Sequence, residues 1–293
     1  MSLIPPHFLN TIVSIEVEGT NQQGTSEMKP IATGFLLGRF LDKDTAGQSR
    51  YRIFLVTNRH VFEDNAGNRK KEIQLRFNIT GKQAKHYKVD LLDAANKPTW
   101  QRHKNVAVDI AIIPIVGPAL QSEGIDYNFF RDDTDAFLAR EFDDKGISTG
   151  DGIFVLGFPL GQRGIDRNYA IVRQGVIARV DEELLKDHYY FIDASAYPGN
   201  SGGPVISRPE MVSIQGTKSC TQAGLVGVIS SGVVYSEVAV SQQTGEPRII
   251  FTEQTGLVRI VPIESVLEVI DDYIKTLPAL VAAATPAPSV PET

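Results

Sequence analysis

The chain has 293 residues, 42% hydrophobic and 22% charged, so it is long enough for two subdomains and falls outside the disordered and membrane-spanning composition classes. A formal net charge of −6, with no basic stripe carrying interleaved aromatics, argues against nucleic acid or an anionic membrane as the main partner. A single cysteine, Cys220, excludes an internal disulfide, so the loops must be held by packing and hydrogen bonds, which a reducing compartment permits.

At the N-terminus, Pro5, Pro6, His7 and Asn10 break any signal-peptide pattern, and no stretch reaches the ~18–20 apolar residues of a membrane span. The expectation is a cytoplasmic protein. Residues 11–18 alternate like a half-buried strand; a polar loop over 19–29 leads to strands at 31–40 and 51–57. Ile73, Leu75 and Phe77 share one face of a strand over 72–78, and 87–92 is a further strand. The segment 121–147 is a connector, with a short amphipathic helix over 132–142 and a solvated course. Strands resume from Ile153, at 169–180, 189–194 and 224–235. A helix follows over 262–276, with Val266, Val269, Ile270 and Tyr273 at helical spacing. Residues 277–293 read as a flexible Ala/Pro-rich tail. Short strands punctuated by Gly and Pro argue for an all-β fold.

Three places carry chemistry. Pro198-Gly199-Asn200-Ser201-Gly202-Gly203-Pro204 is neither strand nor helix but a tight loop that displays one hydroxyl, with the Gly199 and Ser201 amides able to face an oxyanion beside it. Phe54-Leu55-Val56-Thr57-Asn58-Arg59-His60 is an apolar strand running into a histidine, and Asp109 interrupts the apolar run 106–113, where a buried carboxylate needs a partner. Each has a plainer reading: a surface turn, a boundary histidine, a structural hydrogen bond. Cys220 sits in a Ser/Thr/Gln-rich loop without a neighbouring base and reads as inert. His7, His86, His103 and His188 show no ligand spacing, so they read as surface or structural residues, with no metal and no cofactor.

In the order His, Asp, Ser, these motifs resemble those of trypsin/chymotrypsin-fold serine proteases, and among them the disulfide-free bacterial HtrA-like and V8-like enzymes. Thr57-Asn58-Arg59-His60-Val61, Asp109-Ile110-Ala111-Ile112 and Gly199-Asn200-Ser201-Gly202-Gly203-Pro204 are similar to the three family motifs, with intervals of 49 and 92 residues. Ala32-Thr33-Gly34-Phe35, Val155-Leu156-Gly157-Phe158-Pro159 and Gly224-Leu225-Val226-Gly227 extend the resemblance across residues 8–275.

The resemblance implies a protease domain over 1–275, built from two six-stranded antiparallel β-barrels (about 8–120 and 150–260) and a C-terminal α-helix. No second domain is read after the helix, so the peptide-binding PDZ module usual in HtrA enzymes is expected to be absent. On this reading Ser201 attacks a peptide carbonyl, His60 is the base, Asp109 holds the His60 tautomer, and the Gly199 and Ser201 amides form the oxyanion hole. By alignment Ser195 lies at the base of the S1 pocket, with Ser230, Ser231 and Gly232 along its wall. No acid stands at the base and Ile229 stands where V8-like enzymes place a histidine, so the expected P1 residue is small or apolar. Asn200 stands where zymogen-type relatives have the aspartate that captures a new N-terminus, so the site is either competent as made or ordered by a partner, substrate or oligomer. The expected partners are a protein or peptide substrate and a regulatory protein, because an unguarded cytoplasmic protease would be hazardous. The alternatives are a catalytically silent peptide-binding module and an esterase using the same triad.

Overall fold

The computed structural model describes residues 3–21, 23–210, 212, 214, 216–277 and 285–286. The first sheet contains β1 (Ile12–Thr20), β2 (Ser26–Lys43), β3 (Ser49–Thr57), β4 (Glu72–Ile79), β5 (Lys82–Asp90), β6 (Gln101–Arg102) and β7 (Ala111–Ile115). Their order is β5-β4-β1-β2-β3-β7-β6. The two ends approach through the segment between β5 and β6, where the Thr99 amide donates to Leu91 O at 3.0 Å and Leu92 bridges Pro98. Short strands β8 (Ile125–Asp126) and β9 (Phe130–Arg131) add to β4 and β2.

The second sheet contains β10 (Gly152–Gly157), β11 (Ile171–Arg179), β12 (Tyr190–Asp193), β13 (Pro204–Ser207), β14 (Leu225–Val240) and β15 (Pro247–Pro262). It is a closed six-stranded barrel in the order β10-β11-β12-β15-β14-β13. With the helix Ile263–Thr276 behind it, the molecule has the chymotrypsin-like, mostly β architecture that the sequence implied.

Period-2 alternation divides the apolar residues among three cores. On β3, Ile53 and Leu55 point into the first sheet, while Phe54 and Val56 point towards the second barrel. On β10 the roles are mirrored: Ile153 and Val155 fill the second barrel, and Phe154 and Leu156 meet Phe54 and Val56 between the barrels. Strands buried on both faces read as continuous apolar runs. Each such large side chain contributes roughly 1.5–3 kcal/mol. The helix closes the inter-barrel core with Ile263, Val266, Val269 and Ile270. In its first turn Glu264 Oε1 accepts the Ala139 amide, and burial pushes the Glu264 carboxyl up from its ordinary value.

Four expectations are corrected. The polar loop over 19–29 shrinks to a turn, because β1 runs to Thr20 and β2 starts at Ser26. The segment 236–249, read as a loop, is largely strand: β14 and β15 continue as a two-stranded hairpin, turning over residues 241–246. The helix over 132–142 does not form. Its acids cap other backbone instead: Asp132 Oδ1 accepts the Phe40 amide at 2.7 Å, and Asp135 Oδ2 accepts the Arg131 amide at 2.8 Å. A 3-10 turn, Ala139–Glu141, and one α-helical turn, Phe142–Lys145, stand near its end. Nor is the connector solvated. Phe129, Phe130, Phe137, Phe142 and Ile147 are all buried, and the Phe137 amide donates to Leu225 O at 2.9 Å. The tail expected over 277–293 lies outside the described residues apart from Leu277 and the pair 285–286. Cys220 is buried, with Sγ 3.1 Å from Gln222 O. Among the described residues no helix is long and apolar enough to cross a membrane.

Candidate active site

Antiparallel pairing of Thr57 with Ala111 aligns the end of β3 with the start of β7. His60 sits in the 3-10 turn Arg59–Val61 just beyond β3. Asp109 lies before β7, not within a strand as its apolar neighbours implied. The Asn105 side chain turns the chain there by accepting the Ala107 amide at 3.0 Å. Fully buried Asn58 joins the two segments, its Nδ2 donating to Asp109 O at 2.8 Å.

Asp109 then grips His60 at two points: Oδ1 accepts the His60 amide at 3.0 Å, and Oδ2 lies 2.6 Å from Nδ1. An ionised carboxylate only accepts, so Nδ1 carries the proton and Nε2 keeps its lone pair. The side chains are 40% and 18% exposed, leaving the imidazole open to a ligand.

Ser201 stands in the loop between β12 and β13. Gly199 and Gly202 have φ of +100° and +80°, a region costly for other L-residues. Around them almost every backbone group is engaged. The Asn200 amide donates to Tyr197 O at 3.0 Å, the Gly202 amide to Ile229 O at 3.0 Å, and the Gly203 amide to Asn200 O at 2.9 Å. The Leu160 amide donates to Pro198 O at 2.7 Å. That bond fixes the Pro198–Gly199 peptide plane, so the Gly199 N–H points the opposite way. Leu160 itself has φ +53°, unusual for a non-glycine residue. Among the described residues the Gly199 and Ser201 amides donate to no protein acceptor. Both are therefore free to donate to a ligand beside Ser201.

Thr33, on β2, fastens this loop to the first sheet. Its amide donates to Ser201 O at 3.0 Å, its hydroxyl donates to Gly199 O at 2.6 Å and accepts from the Phe158 amide at 3.0 Å, and its carbonyl accepts the Thr57 hydroxyl at 2.9 Å. The serine loop therefore lies against Thr57, three residues before His60. Among the described residues no hydrogen bond joins Ser201 Oγ to His60. Such contacts tighten when substrate arrives.

Ser195 lines a cavity of about 220 Å³ together with Tyr197, Gln254, Thr255, Gly256 and Val258. Ser230, Ser231 and Gly232 are not among its lining residues. Gln254 Oε1 lies only 2.7 Å from where a Cβ on Gly232 would stand, so this side chain covers that wall. Sequence reasoning missed Gln254 and Thr255, which reach the pocket only through the β14–β15 register. It also missed the bond made by Thr33, a lone hydroxyl in an apolar run. Among the described residues, buried Asn200 has no hydrogen-bond partner on either side-chain polar atom.

The family model for a trypsin-like peptidase domain matches residues 32–212. That span includes His60, Asp109 and Ser201. No curated protein matches the chain.

Proposed function

The chain belongs to the trypsin-like peptidase family, and from that premise we propose that it is a serine endopeptidase working through His60, Asp109 and Ser201. The observation that carries this reading is the two-point grip of Asp109 on His60, which leaves Nε2 as an available base. Ser201 Oγ attacks the peptide carbonyl as His60 Nε2 takes its proton, and the tetrahedral oxyanion is held by the Gly199 and Ser201 amides. The C–N bond then breaks, His60 returns the proton to the leaving amine, and water repeats the cycle on the acyl-enzyme. Asp109 orients the ring and stabilises the imidazolium. The confined, uncharged cavity beside Ser195 favours a small P1 residue. We further propose the disulfide-free HtrA/V8-like bacterial type and an intracellular, selective or partner-gated enzyme, in keeping with one buried cysteine and with Asn200 at the position of the zymogen aspartate.

A silent peptide-binding module is the second reading, drawing on the unmade Ser201–His60 hydrogen bond. Fluorophosphonate labelling of the purified chain beside Ser201→Ala separates the two. Labelling that requires Ser201 supports the peptidase, whereas a folded protein that stays unlabelled both alone and in lysate of its source cell overturns it.

A further inference from the structure

Outside this site, the fold brings together three residues that lie far apart in the chain. His103 follows β6 in the first sheet, His188 follows the short helix Glu182–Lys186 of the second barrel, and Glu268 stands on the exposed side of the helix Ile263–Thr276. The two imidazole rings lie 4.9 Å apart between centroids. Glu268 Oε2 is 2.9 Å from His103 Nε2 and 3.9 Å from His188 Nδ1. We propose that His103, His188 and Glu268 form a binding site for a divalent first-row transition metal, zinc being the best fit, which ties both barrels to the terminal helix.

Two imidazoles and one carboxylate are the donor set that such ions prefer over magnesium or calcium. The three donor atoms lie within 4.8 Å of one another. Zinc needs them roughly 3.3 Å apart, given bonds of about 2.0–2.2 Å in a tetrahedron. Glu268 Oε2, at 2.9 and 3.9 Å from the two imidazole nitrogens, brackets that spacing, while the two nitrogens are bounded only at 4.8 Å, so binding an ion calls for rotation of the side chains.

His103 is buried, and its Nδ1 lies 3.3 Å from Asn105 O and 3.1 Å from Asn105 N. Without an ion, Nδ1 accepts the Asn105 amide and Nε2–H faces the Glu268 carboxylate. An ion at Nε2 displaces that proton and selects the Nδ1–H tautomer, for which Asn105 O is the acceptor within reach, the outer contact usual for metal-bound histidine. Ser265 Oγ, 2.9 Å from His188 Nδ1, is the neighbour that an ion would displace. The nearby cations do not neutralise Glu268, because Lys104 and Lys275 both pair with Asp272, at 2.8 and 3.3 Å. Access is open: His188 and Glu268 line two adjoining cavities of about 880 and 400 Å³.

The backbone supplies a separate indication. His188 has φ +59° and occupies the left-handed position that ends the short helix, with its amide donating to Leu185 O and the Tyr189 amide to Leu184 O. Glycine is the usual residue there, and a side chain is retained at some conformational cost. The imidazole is what that cost provides.

The test uses the untagged full chain, stripped with a chelator and desalted, then titrated with Co²⁺ for its visible absorption and with Zn²⁺ by calorimetry. One ion per chain is expected, with a zinc-dependent rise in melting temperature. His188→Gly suits the left-handed backbone and should melt no lower than the metal-free wild type, yet lose both the cobalt spectrum and the zinc-dependent rise. Glu268→Gln, which retains a polar partner for His103, should weaken zinc by at least about tenfold. A wild type that binds neither ion, or binding that survives His188→Gly unchanged, overturns the proposal. Neither readout depends on peptidase activity.

Discussion

The Thr33 hydroxyl donates to the carbonyl of Gly199 at 2.6 Å, so a residue of the first sheet holds the serine loop of the second barrel. Gly199 and Ser201, whose amides the peptidase reading assigns to the oxyanion, are both tied to this one fully buried residue, through its side chain and its amide. Thr33→Val keeps the shape and removes the hydroxyl. Given the peptidase reading, it should slow Ser201 acylation by about 10–100-fold with KM little changed, somewhat less than loss of an oxyanion donor itself. It also leaves the Phe158 amide without its acceptor, costing about 1–3 kcal/mol in urea unfolding. Thr33→Ser should recover most of the rate, and equal rates for the Val and Ser variants would refute the positioning role.

Gly202 offers a cleaner separation of strain from crowding. A Cβ there would lie 2.2 Å from Thr57 Oγ1 and 2.4 Å from Thr33 O, whereas at Gly24, with nearly the same φ, nothing lies within 4 Å. Gly24→Ala should cost only the left-handed penalty of about 1–2 kcal/mol. Gly202→Ala should cost at least about 2 kcal/mol more, because the groups it meets are packed backbone and a bonded hydroxyl. Urea midpoints of the two variants provide the comparison, and equal losses would show that the loop yields freely.

Burial of Glu264 makes a statement about pH. Its folded carboxyl is raised above the unfolded value, so between the two values the folded state binds more protons. The penalty for its charge is therefore fully present above the folded value and is relieved as pH falls through it. Glu264→Gln should be more stable than wild type at neutral pH, with the gap closing under mild acid. A gap in unfolding free energy that stays constant with pH would contradict this.

Gln254 bears on selectivity, given the peptidase reading. Its side chain covers the Gly232 wall, so Gln254→Ala should enlarge the cavity beside Ser195. In a peptide library the ratio of kcat/KM for medium apolar over small P1 residues should rise about tenfold. An unchanged ratio would place the P1 side chain elsewhere.

The elements that carry His60 and Ser201 were legible because each has a strong local signature: an apolar run ending at Thr57, and glycines demanded by positive φ at 199 and 202. Asp109 was found as a residue but assigned to a strand, since nothing in its apolar neighbours reveals the Asn105 turn that keeps it outside β7. The segment 132–142 read as a short amphipathic helix, because the real targets of its acids, the Phe40 and Arg131 amides, are set by tertiary packing. The same reason hid Thr33, Gln254 and the meeting of His103 with His188. Each acts on a residue that only the register of the sheets brings near.

The long hairpin has a consequence for motion. β12 pairs with β15 only from Leu257 to Ile260. Beyond that neck the rungs from Val234–Gln254 to Val240–Pro247 are held by each other, with Val234, Tyr235, Ile250 and Phe251 exposed. A two-stranded ribbon is marginal by itself in water, so its hinge falls at the register shifts after Ile229 and Gly232. Amide hydrogen exchange should divide this one continuous ladder in two, slow through Val228 and fast from Val234 outward. Gln254 lies on the fast side of that divide and Val258 on the slow side. The cavity beside Ser195 thus has one wall that is rigid and one that breathes.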